Sequence, residues 1–266
     1  MDVAIGLPNT IEGVTPQLLL DWARRADAGP FSSLGAIDRL AYPNYDPFTS
    51  LAVAAGATRR IRLMTTVLLA PLHRPGMLAK QLLTLHTLSG GRLTVGLGLG
   101  ARREDYEAAP ASFEERGQQL ERTLDLLQDA FRQGPAVLLG GHSPKSIQRV
   151  GRWGDGYIDS SGTAAGARHT YGLADQAWAH GGRPGRPRKV AGFYWCLGRQ
   201  SDAIEHLRTY YGFAPPQAEK LVGALVSTED DIRSLLHALA EAGTDEAVAW
   251  PCVASLDQVD RLATLL

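Results

Sequence analysis

The sequence predicts a single (β/α)8 barrel spanning residues 1–266. Eight short apolar runs alternate with longer amphipathic ones from end to end. The length of 266 residues suits a barrel of this kind. No linker or composition break divides the chain. Alternation alone would also permit a doubly wound sheet; the number of units and the unbroken composition favour closure.

The first run, "VAIGL" (Val3–Leu7), precedes a helix with Thr15 as N-cap and Pro16 at its first position. Leu19, Trp22, Ala23 and Ala26 share its apolar face, and Gly29-Pro30 ends it. "SLGAID" is second and leads to a helix near Asp46–Ala57. "IRLMTTVLL" is third; its helix begins at Pro75, carries Leu78, Leu82, Leu85 and Leu88 in register, and stops at Ser89-Gly90-Gly91. The fourth run is "LTVGLGLGA", Leu93–Ala101. Its helix is expected from Ser112, where Ser112-x-x-Glu115 has the form of a capping box ahead of Leu120, Leu124, Leu127 and Phe131. "AVLLGG" is fifth, with a helix from Ser143, and "GYIDSSG" is sixth, with a helix over Ala164–His180. The turn-like "HGGRPGRPRK" leads into the seventh run, "KVAGFYWCLG", and helical sequence follows from Ser201. "EAVAWP" (Glu246–Pro251) is eighth, between a helix from Thr228 to Ala242 and a last one near Leu256–Leu266.

Composition excludes several function classes. Hydrophobic content of 44% and charged content of 21% are those of an ordinary soluble domain. A net charge of -1 gives no electrostatic footprint for nucleic acid or an anionic membrane. No window has the apolar length of a membrane span. The opening "MDVAIGLPN" lacks the basic and apolar regions of a signal peptide. Cys196 and Cys252 are too few for a disulfide framework and read as buried thiols. The expectation is a cytoplasmic protein acting on a small molecule, with no nucleic-acid or membrane partner and a homodimer as candidate assembly.

"LTVGLGLGA" also satisfies a dinucleotide fingerprint, Gly96-x-Gly98-x-x-Ala101. Such a turn must open a helix at once, so that a pyrophosphate meets the helix N-terminus. Here "RREDYEAAPASF" follows, with Pro110 inside it, and the acid expected about 20 residues on would be Glu121, within an amphipathic helix. The better reading is a fourth barrel strand whose glycines let a ligand or a neighbouring strand approach closely. A helix opening at Gly98 would overturn it.

"LSGGRLTVGLGLG" closely resembles the luciferase-like monooxygenase family of flavin- and deazaflavin-dependent barrels. "AAGATRRIRLMTTVLLAPLHRPGMLAKQLLTLHTLSGGR" is similar to that family's third strand and helix, and "SFEERGQQLERTLDLLQ", "LLGGHSPKSIQRVGRWGDGYIDSSG" and "VSTEDDIRSLLHALAEAGTDEAVAW" continue the likeness in order. The resemblance implies a bacterial-luciferase-like barrel holding FMN or F420 at the C-terminal mouth of its strands. Activity would be hydride transfer or O2 activation on a small organic substrate. Residues Thr65, Thr66 and Val67 would bulge beneath the ring, with the Thr66–Val67 bond as a candidate non-prolyl cis peptide; a plain β-branched strand is the alternative. Gly98 and Gly100 would give the cofactor room. Gly140, Gly141 and Ser143, ahead of a helix, would present N–H groups to a phosphate, with Lys145 adding charge; a tight turn alone reads equally well from composition. Ser160, Ser161 and Gly162 would line the same cofactor.

Two departures from the family stand out. Many members read Asp-His where this chain has Asp38-Arg39, the candidate catalytic pair. Arg39 stays protonated and cannot shuttle protons, though it can polarise a carbonyl or hold an anion; its alternative role is a salt bridge to Asp38 or a nearby loop. His73 and His142 are substitute proton carriers. Arg102 and Arg103 are either anion ligands or a solvated loop. The second departure is "LLQDAFRQGPAVLLGG", a shortened connection from the fourth helix to strand five. Other barrel chemistries fit less well. Of the four lysines only Lys189 lies on a strand, at the wrong end for a Schiff base; no H-x-H occurs; and Asp38 with Asp159 makes a weak glycosidase pair. Against the oxidoreductase stands a cofactor-poor relative acting as a binding or partner subunit. A mouth lined by Tyr194, Trp195 and Trp250 would suit an apolar or aromatic substrate.

Overall fold

The computed structural model describes residues 1–266. Eight parallel strands close into a barrel in chain order, β8 returning to pair with β1. The strands are β1 (Asp2–Gly6), β2 (Ser33–Ala36), β3 (Arg62–Leu69), β4 (Leu93–Gly98), β5 (Val137–Gly140), β6 (Gly156–Asp159), β7 (Arg188–Trp195) and β8 (Glu246–Pro251). The helices are α1 (Pro16–Ala28), α2 (Pro47–Ala57), α3 (Pro75–Leu88), α4 (Arg103–Glu107), α5 (Arg116–Ala130), α6 (Pro144–Trp153), α7 (Ala164–His180), α8 (Gln200–Tyr210), α9 (Pro215–Gly223), α10 (Glu229–Glu241) and α11 (Leu256–Ala263).

Local sequence sets most boundaries. Thr15, Asp46, Ser143, Thr163 and Thr228 each accept a hydrogen bond from a first-turn N–H of the helix they precede, leaving fewer orphan donors. Proline stands at the start of α1, α2, α3, α6 and α9, where its missing N–H costs nothing. Only Phe131–Ala136 join α5 to β5, as the short connection in the sequence implies.

Three elements differ from expectation. The fourth barrel helix begins at Arg116, not Ser112. Ser112 Oγ does accept the Glu115 N–H at 3.2 Å, so the box closes a turn just before the helix. The loop after β4 folds into α4, and a second unanticipated helix, α9, follows α8.

The barrel interior is filled in layers. At its N-terminal end the buried Glu246 carboxylate accepts from Ser33 Oγ at 2.6 Å and Arg62 at 3.1 Å, and also pairs with Arg188. Higher up, Trp250 on β8 lies across the interior. A Cβ at Gly6, Gly35 or Gly192 would come within 2.2, 2.8 or 3.0 Å of its indole. Three strands therefore give up side chains to accommodate one large ring. We expect Gly6→Ala to cost about 1–3 kcal/mol of stability, the range for overpacking a core. In urea unfolding, a Gly6→Ala/Trp250→Leu cycle should show strong coupling; additive effects would refute the packing account.

Candidate functional site at the barrel mouth

The C-terminal strand ends form two unlike halves. Above β3–β6 lies a cavity of about 410 Å3, within the usual size range of ligand pockets. Its floor is a bulge: the register of β3 on β4 shifts between Thr65 and Leu68, and the Thr66–Val67 peptide is cis. Val67 turns onto the strand glycines, so that a Cβ at Gly98 or Gly140 would lie 2.5 or 2.9 Å from its methyl carbons. Gly96 is similarly committed, its Cβ position only 2.2 Å from Thr65 O. These glycines therefore clear space for the bulge of the neighbouring strand, one of the two close approaches the sequence left open, while Gly98 and Gly140 also line the cavity. Leu99 and Ile158 complete an apolar wall.

The opposite end of the cavity is polar and electropositive. Ser143 caps α6, its Oγ accepting the Ser146 N–H at 3.2 Å. The N–H groups of His142, Ser143 and Lys145 have no partner within the chain. Gly141 adopts φ +142°, and a Cβ there would lie 2.6 Å from Ser146 Cβ; the Tyr157 hydroxyl donates to its carbonyl at 2.7 Å. Ser160 and His142 bridge the β5 and β6 loops at 3.0 Å. Arg116, at the start of α5, lies over Phe113 with its Nε sealed from solvent and unpartnered. A helix N-terminus, free amides and a guanidinium thus converge, the chemistry of an anion cradle.

Thr66, Val67, Gly98, Gly100, Gly140, Gly141, Ser143 and Ser160 line this cavity. Three other residues expected to bind cofactor lie elsewhere. Thr65 is fully buried and uses its hydroxyl to bridge Gly96 N and O, both at 2.9 Å. Ser161 hydrogen bonds Asp159 at 2.6 Å, and Gly162 packs toward Leu221 and Ala224. Lys145 is exposed outside the cavity lining. Asp159 also accepts from Thr170, a structural role. Sequence reading missed Arg116, Phe113 and Ser146; the displaced start of α5 is what brings the first two to the cavity.

Above β7, β8, β1 and β2 the mouth is covered. Helices α8 and α9 pack on each other, and Val226 beyond them pairs beside Trp195 at the end of β7. Tyr194 and Trp250 point inward beneath this cover, whereas Trp195 faces the helix layer and is fully buried, so it does not line the mouth. The Tyr194 and Tyr211 hydroxyls are 2.7 Å apart. Burial raises both phenols, that of Tyr211 to about 12, so they stay protonated at neutral pH.

Arg39 and Asp38 do not pair. Asp38 accepts from the Leu69 N–H at 2.9 Å and lies 3.4 Å from His73 Nε2. Arg39 instead reaches α4, donating from Nε to Asp105 at 3.1 Å and from Nη2 to Glu104 at 3.1 Å. Asp105 also accepts the Leu40 and Ala41 N–H groups at 3.0 and 2.7 Å. Arg103 is solvated beside Glu114, while Arg102 is buried against Tyr210 and Phe213. A groove of about 710 Å3 lined by residues of α5, α6 and α7 is a poorer candidate, because its arginines are committed: Arg152 to Asp125 and Arg183 to Asp155.

Two outcomes follow from this half of the mouth. Asp105→Ala should destabilise the fold by about 3–5 kcal/mol, since it strands a buried guanidinium; the double replacement Arg39→Met/Asp105→Leu should cost far less. Denaturant midpoints decide between them. His206 stacks on Tyr210 with a buried, unpartnered Nε2, and burial depresses its imidazole to about 4. Its contribution is full above about pH 6.5, where the unfolded chain is also neutral, and declines as pH falls towards about 4. Acidification from pH 7 to 5 should cost about 1–2 kcal/mol, and His206→Leu should flatten that slope in melting curves.

Comparison with known proteins follows the same architecture. A family model described as luciferase-like monooxygenase matches residues 1–249. An uncharacterized protein of Mycobacterium tuberculosis is 26% identical over 185 residues, which is 53% of this chain and 64% of the relative; the match thus spans less than two thirds of that protein's length. Among solved structures, an F420-dependent secondary alcohol dehydrogenase in complex with an F420-acetone adduct aligns with a TM-score of 0.81 at 16% identity, covering 100% of this chain and 98% of the other. The monooxygenase RslO1 from Streptomyces bottropensis aligns with a TM-score of 0.78 at 20% identity, covering 100% and 97%.

Proposed function

The chain belongs to the luciferase-like monooxygenase family, and from that premise we propose that it is an oxidoreductase using a flavin or deazaflavin, FMN or F420, on a small organic substrate. One observation carries the reading: a single cavity joins an apolar floor at Val67, Leu99 and Ile158 to an anion cradle at the α6 N-terminus. A flat ring on a phosphate-bearing arm has the same polarity. When bound, such a cofactor supplies a ring that takes or gives a hydride, or that reacts with O2 when reduced.

The residues present fit the group. Val67, Leu99 and Ile158 would keep water from one face of the ring, while Ser143, the free amides beside it and Arg116 would hold the phosphate. Arg39, a guanidinium, is no proton shuttle. His73 beside Asp38, and the Tyr194–Tyr211 pair whose phenols burial keeps protonated, are the acid–base side chains on this part of the mouth. A second reading, a relative that binds a partner without turnover, is favoured by Arg39 in the place of the family's histidine and by the aromatic cover above β7 and β8.

Fluorescence titration with FMN, F420 and phosphate-free riboflavin tests the proposal. Saturable binding of FMN or F420 is expected, with Arg116→Gln weakening it tenfold or more, in line with about 1.5–3 kcal/mol for a hydrogen bond to a charged group. Failure of both cofactors to bind would favour the partner-subunit reading.

A further inference from the structure

Three arginines of the chain are almost wholly buried: Arg39, Arg102 and Arg149. Burying a guanidinium is tolerated when its donors are matched. Arg149 obeys this rule, with Nε and Nη2 on Glu121 at 3.0 and 2.8 Å and Nη1 directed to Lys145 O. Arg39 obeys it in part: Nε and Nη2 are paired, but Nη1 is sealed from solvent with no partner. Arg102 differs: its nitrogens have no partner in the chain, yet none of them is sealed from solvent. Only 6% exposed, it makes no ion pair and no hydrogen bond within the chain, and its guanidinium is walled by the rings of Phe213, Tyr210 and Tyr211 at 4.1, 4.4 and 5.4 Å. Arg39 leans on the same Tyr210 ring at 5.4 Å and on Tyr42 at 4.9 Å.

Both side chains belong to strand-end loops, after β2 and after β4, at the barrel face where ligands are handled. Stacking on rings satisfies the faces of a guanidinium and leaves its in-plane N–H donors free. A tether for the α8–α9 cover would need only the stacking, and an ordinary apolar side chain would serve it as well. Unmatched donors held among aromatic rings are instead the complement of a planar anion attached to an aromatic body.

We propose that Arg102, its guanidinium framed by Tyr210, Tyr211 and Phe213, forms a subsite for the carboxylate of an aryl or arylalkyl acid. The chain's substrate is of that class. The word substrate rests on the oxidoreductase reading; the subsite does not. Asp105 and Glu104 both pair with Arg39 and neither with Arg102, whose charge is left unpaired to meet the anion.

Calorimetric titration of the full chain, without added cofactor, with phenylacetate and with its neutral counterpart phenylacetamide tests this. The wild-type protein should bind the acid at least tenfold more tightly than the amide. Arg102→Gln should abolish the preference, and Arg102→Lys, which keeps the charge but loses the planar fork, should keep part of it; circular dichroism establishes that each variant is folded. Equal affinity for acid and amide, absence of saturable acid binding, or a preference that survives in Arg102→Gln would overturn the subsite. Acid binding in a protein that takes up neither FMN nor F420 would sink the oxidoreductase reading and leave the subsite standing. Cofactor uptake without acid preference would do the reverse.

Discussion

The bulge of β3 is the constraint on which the site depends. An eight-stranded barrel is just wide enough for its own side chains to fill, so a ligand can lie only above the topmost layer. Here the layers beneath are closed by Glu246 at one end and by Trp250 across the middle. At Thr66–Val67 the chain turns Val67 inward over Gly98 and Gly140, which sets an apolar floor at the level of the strand ends. A side chain at either glycine would collide with Val67. The floor, the glycines and the register shift are one arrangement rather than three.

Above that floor the two halves of the mouth divide the chemistry. The β3–β6 half is open, apolar below and electropositive at the α6 N-terminus. The β7–β2 half is roofed by α8 and α9, and Tyr210 at the end of α8 meets arginines from the loops after β2 and β4. Desolvation gives these groups fixed states: the phenols remain protonated and the His206 imidazole remains neutral at physiological pH. The buried Arg39–Asp105 pair then acts in a medium where charge is less screened than in water.

The barrel was legible because its signals are local and repeated. Apolar runs, N-caps and prolines each report on a few neighbouring residues, and β8 and α7 fall where these place them. Contacts between distant segments left no such mark. Nothing near Arg39 in sequence points to Asp105 as its partner, because α4 is a single short turn of helix in a loop without apolar periodicity. Arg116 was hidden by a serine cap that closes a turn instead of a helix. Trp195 was misplaced for a simpler reason: neighbouring strand residues face opposite ways, so Tyr194 and Trp195 cannot both point into the barrel.

The glycine pattern of β4 shows how one string of letters can serve two different constraints. In a dinucleotide turn the glycines permit a sharp reversal and admit a pyrophosphate to the N-terminus of the next helix. In this chain Gly96 and Gly98 lie inside the strand, two residues apart and therefore on one face. What they avoid is Thr65 O and Val67, atoms of the adjacent strand. Gly100 alone adopts a left-handed conformation, φ +72°, and it packs against Leu69 of β3. A spacing of two continued through a β-branched run describes a strand accommodating its neighbour. The same spacing followed at once by a helix would describe a phosphate loop, and here the polypeptide runs on through Ala101 before α4 begins at Arg103.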